Sequence, residues 1–375
     1  MTSIVIGGDL CPGVRSTPYL VKGDADAVFE GLAPVLREAD LALANLEGPL
    51  VKQLSPITKI GPHHAFEENC IKGIRAAGFR LLNLGNNHIM DHGYAGLANT
   101  LRCCEEHGIA CVGAGENREA AGRVWVKEIN GLQLGIWSCT EHEFGLATAK
   151  DPGTNPLNLM NFVRTVQTHR KKWDYLLVLL HGGNEYYPYP RPSLQELCRF
   201  MIEQGAGAVI CQHSHCVGCH ETYRGGQIVY GQGNLLCDNP SQPCEAEGLL
   251  VTLRIEEDRT SSMELTPFAH SASSPGPVLM NAEQRMHFLQ QFEERSRAIQ
   301  DQSFVEREWE KFCQQNPYNY LSLLQGYPRR IRELDQKFHF LRFLRSRQRL
   351  LMLLHLLRCE SHHEAIMGAI NTSLR

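Results

Sequence analysis

Residues 79–93 read FRLLNLGNNHIMDHG, and this stretch decides the fold. An apolar run from Phe79 gives way to Gly85-Asn86-Asn87-His88, and Asp91 and Gly93 follow where a helical pattern opens. The run reads as a strand over 79–88 that delivers polar side chains at its carboxyl end, the edge at which open α/β sheets build their sites. Working outward, the same design recurs. A strand over 3–9 ends in Gly-Gly-Asp9, and one over 39–47 ends in Asn45-Leu-Glu47-Gly. Strands over 174–181 and 207–213 end in His181-Gly-Gly-Asn184-Glu185 and Gln212-His213-Ser-His215. A strand over 227–234 ends in Gly-Gln-Gly-Asn234. The neighbouring glycines let the backbone turn sharply away and leave the side chain presented. With a further strand over 132–140 and helices over 65–77, 94–107 and 193–204, the alternation predicts an α/β fold with a largely parallel sheet. Residues 248–255 and 263–269 read as two more strands, paired antiparallel.

Composition is that of an ordinary globular chain: 375 residues, 43% hydrophobic, 21% charged. A net charge of -4 lacks the global basic field that nucleic-acid binding uses, so no nucleic-acid partner is expected. The start, MTSIVIGGDL, has no basic region followed by an apolar one, and no apolar run is long enough to span a bilayer. The expected setting is therefore cytoplasmic and reducing, with the 14 cysteines mostly free, buried thiols. Pro275 and Pro277 mark a linker, which divides the chain into 1–272 and a helical extension, 273–375. Within the extension, residues 325–358 carry eight arginines and one lysine against Glu333 and Asp335, a net +7, amid Leu and Phe. That segment reads either as a helical cap with solvated arginines or as a surface helix that meets a membrane.

Three histidines, two carboxylates and an asparagine amide at the strand ends form a nitrogen and oxygen donor set suited to Mn, Fe, Zn or Ni rather than to a thiolate zinc site. Six motifs occur in the order found in the CapA (poly-γ-glutamate synthesis) family, which is similar to the calcineurin-like metallophosphoesterases. They are Gly-Asp9, Asn45-Leu-Glu47, Asn86-Asn87-His88-x-x-Asp91-x-Gly93, His181-Gly-Gly-x-Glu185, His213-Ser-His215 and Gly233-Asn234. The resemblance implies a four-layer α/β/β/α sandwich that holds one or two divalent transition metal ions, Mn, Fe or Zn. It implies Asp9 and His215 on a first metal, Glu47 as the bridge, and Asn87, His181 and His213 on a second. His88 resembles the histidine that contacts substrate or protonates the leaving group. Three departures from the phosphoesterase pattern stand out: Cys11 where a histidine is usual, Glu47 where the bridge is usually Asp, and Gln212 where glycine usually precedes the last histidines.

Around this set, Asp91 reads as a catalytic or histidine-orienting carboxylate or as a helix N-cap. Glu185 either supports a histidine ligand or faces substrate as an acid or base. Asn45 is a substrate contact or a network residue. Arg15, Tyr186 and Arg191 are candidates to clamp a carboxylate or phosphate, with a packed surface loop as the alternative, and Asn234 completes the substrate-binding set. Cys216-Val-Gly-Cys219 is a single CxxC and reads as free thiols. The expected function is a metal-dependent hydrolase or transferase acting on a phosphoester or on a small-molecule, peptide or polymer amide of γ-glutamyl type. The alternative is a non-catalytic subunit of a polymer-synthesis complex.

Overall fold

The computed structural model describes residues 1–238, 242–271, 273–315, 317–338, 340–341 and 346–374. They form two compact units, Met1–Trp309 and Glu310–Arg375. The principal strands of the first are β1 (Thr2–Leu10), β2 (Leu41–Leu46), β3 (Phe79–Asn83), β4 (Ala110–Val112), β5 (Trp125–Ile129), β6 (Leu132–Thr140), β7 (Tyr175–His181), β8 (Ala208–Gln212), β9 (His220–Tyr223), β10 (Gly226–Tyr230), β11 (Asn234–Leu236), β12 (Glu247–Ile255), β13 (Ser261–His270) and β14 (Pro277–Leu279). The longer helices are α1 (Cys70–Ala77), α2 (Gly93–Glu106), α3 (Leu159–His169), α4 (Pro192–Glu203) and α5 (Ala282–Ala298).

Two principal sheets result, as the four-layer resemblance implies, where the alternation of elements alone suggested one. The first runs β14-β13-β12-β1-β2-β3-β4, with β11 also paired to β1, and the second runs β9-β10-β8-β7-β6-β5. The strand interiors are apolar on both faces, as buried strands must be. Ile4, Ile6, Leu43 and Leu81 of the first sheet meet Leu177, Leu179, Ile210 and Val229 of the second in one core layer. The opposite faces are covered by helices. Val5, Ala44 and Leu82 pack with Ile71 and Ile74 of α1 and Leu97 of α2. Leu176, Val178 and Leu180 pack with Phe162 of α3 and Leu194 and Met201 of α4. The architecture is the four-layer α/β/β/α sandwich. β12 and β13 pair antiparallel along their whole length.

Boundaries differ from the sequence reading where backbone geometry outranks hydropathy. β3 stops at Asn83, because Asn86 folds the chain into a turn by accepting from the amides of His88 (3.1 Å) and Ile89 (2.9 Å). The strand expected over 227–234 splits into β10 and β11 at Gly231 and Gly233, whose φ angles are 123° and 69°. Gly8 and Gly233 approach so closely that a Cβ on Gly8 would sit 2.0 Å from the Gly233 carbonyl oxygen. The short strands β4, β5 and β9 and the helix α3 went unread because brief, half-polar elements give no periodic signal.

Helix α5 lies beyond the Pro275–Pro277 linker yet belongs to the first unit. An Asn281–Gln284 capping box starts it, and Phe288 and Phe292 are buried in the layer between the sheets. His220 of β9 stacks on Phe292 at 5.3 Å, and Arg295 donates to the Gly218 carbonyl at 2.8 Å. The second unit is helical, with Pro317–Leu324, Arg329–Phe338, Arg347–Arg358 and Glu360–Ser373. Among the described residues no helix is long and apolar enough to cross a membrane.

Phe288→Ala and Phe292→Ala are each expected to destabilise the first unit by about 3–5 kcal/mol, the cost of emptying a fully buried aromatic site. Chemical denaturation reads this directly; a loss near zero would show that α5 is a dispensable appendage.

Candidate metal centre

The register of each sheet sets a row of polar side chains at its carboxyl edge. Asn234, Asp9, Asn45 and Asn83 lie side by side across β11, β1, β2 and β3. Thr140, His181 and Gln212 lie side by side across β6, β7 and β8. Gln212 joins the rows, since its amide donates to the Gly7 carbonyl at 2.9 Å and accepts from Asn83 at 3.0 Å. This accounts for a glutamine at a position where glycine would make no tie.

Between the rows, Asp9, Glu47, His181, His213 and His215 converge. Two groups of donors form, one of Glu47, His181 and His213 and one of Asp9, Glu47 and His215, with the ligand atoms of each within 4.8 Å of one another. Glu47 belongs to both. Asn87 completes the first group, because its carbonyl oxygen lies 3.0 Å from His181 Nε2. Five of the six expected ligands thus fall into two sets that share the expected bridge, and the sixth adjoins.

The residues fit a cation on their own chemistry. Glu47 Oε1 and His213 Nδ1 are buried and have no hydrogen-bond partner among the described residues. Burial and then the nearby Asp9 charge push the Glu47 carboxyl up to about 8. Burial also works against the Asp9 carboxylate, but the His215 hydrogen bond and the charges of His181 and His215 prevail and hold it at about 2. Burial and His213 push His181 well below the ordinary histidine range. For His215 burial is outweighed by Glu47 and Asp9, which raise it well above that range. A site that retains protons for want of positive charge is one that a divalent ion would occupy in their place. His213 and His215 hold φ angles of 101° and 54°, a left-handed backbone that costs side-chain-bearing residues of order 1–3 kcal/mol each.

The polar support is layered. Asn45 donates to Asp9 Oδ1 at 2.8 Å and accepts from Asn86 at 3.0 Å, so it is a network residue beneath the site and not part of the cavity wall. Cys11 donates to Glu47 Oε2 at 3.3 Å, and burial and the Glu47 and Asp9 charges push its thiol well up. Asp91 is fully buried and does not cap α2, whose N-cap is His92. Its carboxylate instead accepts from His88 Nδ1 (2.7 Å) and the His64 amide (2.7 Å) and forms an ion pair with Lys59. His64 stacks on His88 with ring centroids 4.0 Å apart.

Above this floor is a cavity of about 440 Å³ whose lining includes Glu47, Asn87, His88, His215, Glu185, Tyr186 and Asn234. Arg15 and Arg191 are not brought to it. Arg15 donates to the Ser271 and Asp238 carbonyls, and Arg191 is held by Glu141. Tyr187 and Tyr189 pack with Trp309 and Phe304, so of that loop's three tyrosines Tyr186 faces the cavity, beside Glu185. Cys216 and Cys219 are buried free thiols, and no cysteine joins a metal-ligating group among the described residues.

Sequence reasoning missed Lys59, His64, Glu143 and Glu245, all of which line the cavity. Glu143 follows the carboxyl end of β6 and receives the Asn87 amide at 2.7 Å, so the strand-end rule could have found it. Lys59 and His64 lie on a long loop with no local signal.

The family described as "Bacterial capsule synthesis protein PGA_cap" matches residues 3–239. The capsule biosynthesis protein CapA of Bacillus anthracis is 27% identical over 281 residues, spanning 72% of this chain and 68% of that one. The PGA biosynthesis protein CapA of Bacillus subtilis is 27% identical over 275 residues, spanning 72% of each. A probable polyglutamine synthesis accessory protein of Mycobacterium tuberculosis is 26% identical over 230 residues, spanning 58% of this chain and 59% of that one. Among solved structures, a phosphatase from Mycoplasma pneumoniae aligns with TM-score 0.47 at 13% identity, covering 72% of this chain and 95% of that one.

Purified without chelator, the chain is expected to carry about one or two equivalents of a divalent transition metal by elemental analysis. Glu47→Ala should remove all of it, since both groups use that carboxylate. His213→Ala should remove only the part held with His181. No metal after reconstitution with Mn, Fe or Zn would sink the centre.

Proposed function

The chain belongs to the bacterial capsule synthesis family PGA_cap, and on that premise we propose that it is a metal-dependent hydrolase or transferase that acts on γ-glutamyl-type amide linkages of a capsule polymer or its precursors. The observation that carries this reading is the pair of donor groups sharing Glu47 at the floor of an open cavity. When bound, divalent ions there supply Lewis-acid polarisation of the scissile group and neutralise the charge it develops.

The chain's own residues supply the rest. His88 lines the cavity, and its Nδ1 is engaged by Asp91, which leaves Nε2 as the ring nitrogen available for proton transfer. Asp91 fixes that tautomer, and Lys59 fixes Asp91 in turn, so the two act as positioning residues behind His88. Glu185 and Tyr186 face the cavity from the opposite loop and are placed to orient the substrate. Asn87, held between His181 and Glu143, keeps its amide rigid beside the floor.

The test is turnover on two substrate classes, γ-glutamyl oligomers and phosphodiesters, with the metal-loaded chain. Hydrolysis or transfer on the first class is expected. His88→Ala should lower kcat by about 10²–10⁴ with metal content unchanged, the usual worth of a positioned acid or base. Asp91→Asn should lower kcat with KM little altered. Turnover confined to phosphodiesters would move the substrate assignment. A fully loaded centre that turns over neither would favour the non-catalytic subunit reading.

A further inference from the structure

A second cavity, of about 640 Å³, lies over β5, the edge strand of the second sheet, and no part of the metal centre enters it. Helix α3 contributes Arg164 and His169 to the lining; the short helix and turn that precede β5 contribute Arg118 and Arg123; and Lys172 closes the end. Glu119 is the only carboxylate in the lining. None of Arg118, Arg123, Arg164 or Lys172 has an ion-pair partner among the described residues. In a chain of net charge -4, four cations around one concavity, with a single carboxylate among them in the lining, are a local concentration of positive potential.

The two cavities share a loop. Phe144 lines the metal cavity and Ala149 lines the basic one. Four residues lie between them, so their Cα atoms, five steps apart, are at most about 18 Å from each other. The loop is braced rather than loose: Thr154 donates to Gly145 (2.9 Å), Ala147 to Thr154 (2.8 Å) and Arg118 to Thr148 (2.7 Å). A ligand that spans both cavities must therefore be elongated, and it must carry repeated negative charge where it meets the arginines.

We propose that the basic cavity is a binding site for a polycarboxylate chain, and that it holds the polymer while one of its linkages lies at the metal centre. The identity of the polymer and its reach to the metal centre rest on the proposed function; the anionic nature of the ligand rests on the cavity alone. Planar guanidinium groups suit carboxylates, which they meet with two parallel hydrogen bonds. A processive grip of this kind would make long substrates bind better than short ones without any change at the reacting atoms.

The experiment is fluorescence anisotropy with a labelled γ-linked oligoglutamate, on the full chain and in low salt. Saturable binding that weakens as salt rises is expected. The Arg123→Glu, Arg164→Glu, Lys172→Glu variant should bind at least about tenfold more weakly, since complementary charge becomes like charge. All three residues are exposed, so thermal unfolding should be unaltered; should the triple variant unfold, Arg164→Gln and Lys172→Gln read the same loss singly. Glu47→Ala should keep the salt-dependent binding that the charge variants lose, which separates this site from the metal centre even if no turnover is ever found. Equal binding by parent and charge variants, loss of binding in Glu47→Ala alone, or tighter binding of a single-stranded oligonucleotide of equal charge would each overturn the proposal.

Discussion

Two carboxylates, Asp9 and Glu47, are sealed from water at the junction of two sheets, and the surroundings answer that charge. An ionised carboxylate in such a place is costly unless it is paired and hydrogen-bonded. Asp9 meets the requirement within the protein, through Asn45, the His213 amide and His215. Glu47 does not: one oxygen receives only the Cys11 thiol, and the other has no hydrogen-bond partner among the described residues. The asymmetry explains why the two carboxyls titrate on opposite sides of their ordinary range. It also explains why Glu47 is the group that two sets of histidines approach.

The strand-end pattern carried the site because chemistry and topology coincide there. Asp9, Glu47, His181 and His213 could be read from their positions alone, since a parallel strand that ends in a polar residue beside glycine has few other purposes. Support from distant segments was not legible. Lys59 and His64 reach the site from a loop whose path no local propensity describes. Asp91 was open to two readings, a helix cap or a histidine-orienting carboxylate, and its contacts are with the tertiary partners His88 and Lys59 rather than with the helix end.

The second sheet was implied by the family resemblance alone, not by the alternation of elements. Hydrophobic runs buried on both faces announce a strand but not its neighbours. The deciding contacts are side chain to backbone, between residues far apart in the chain: Gln212 with Gly7 and Asn83, and Gln232 with the Ile6 and Leu249 carbonyls. These amides do for the sandwich what register does for a single sheet. They hold the two edges level, so that donors from both meet at one point.

The left-handed backbone at His213 and His215 has an evolutionary meaning. Glycine would adopt those angles without strain, at the lesser cost of a more flexible unfolded chain. A lineage freed from the need for imidazole at these two positions would find sturdier folds one mutation away. At these two positions the strain and the imidazole come together, so a sturdier fold is reached only by giving up the site, a trade-off inscribed in two dihedral angles.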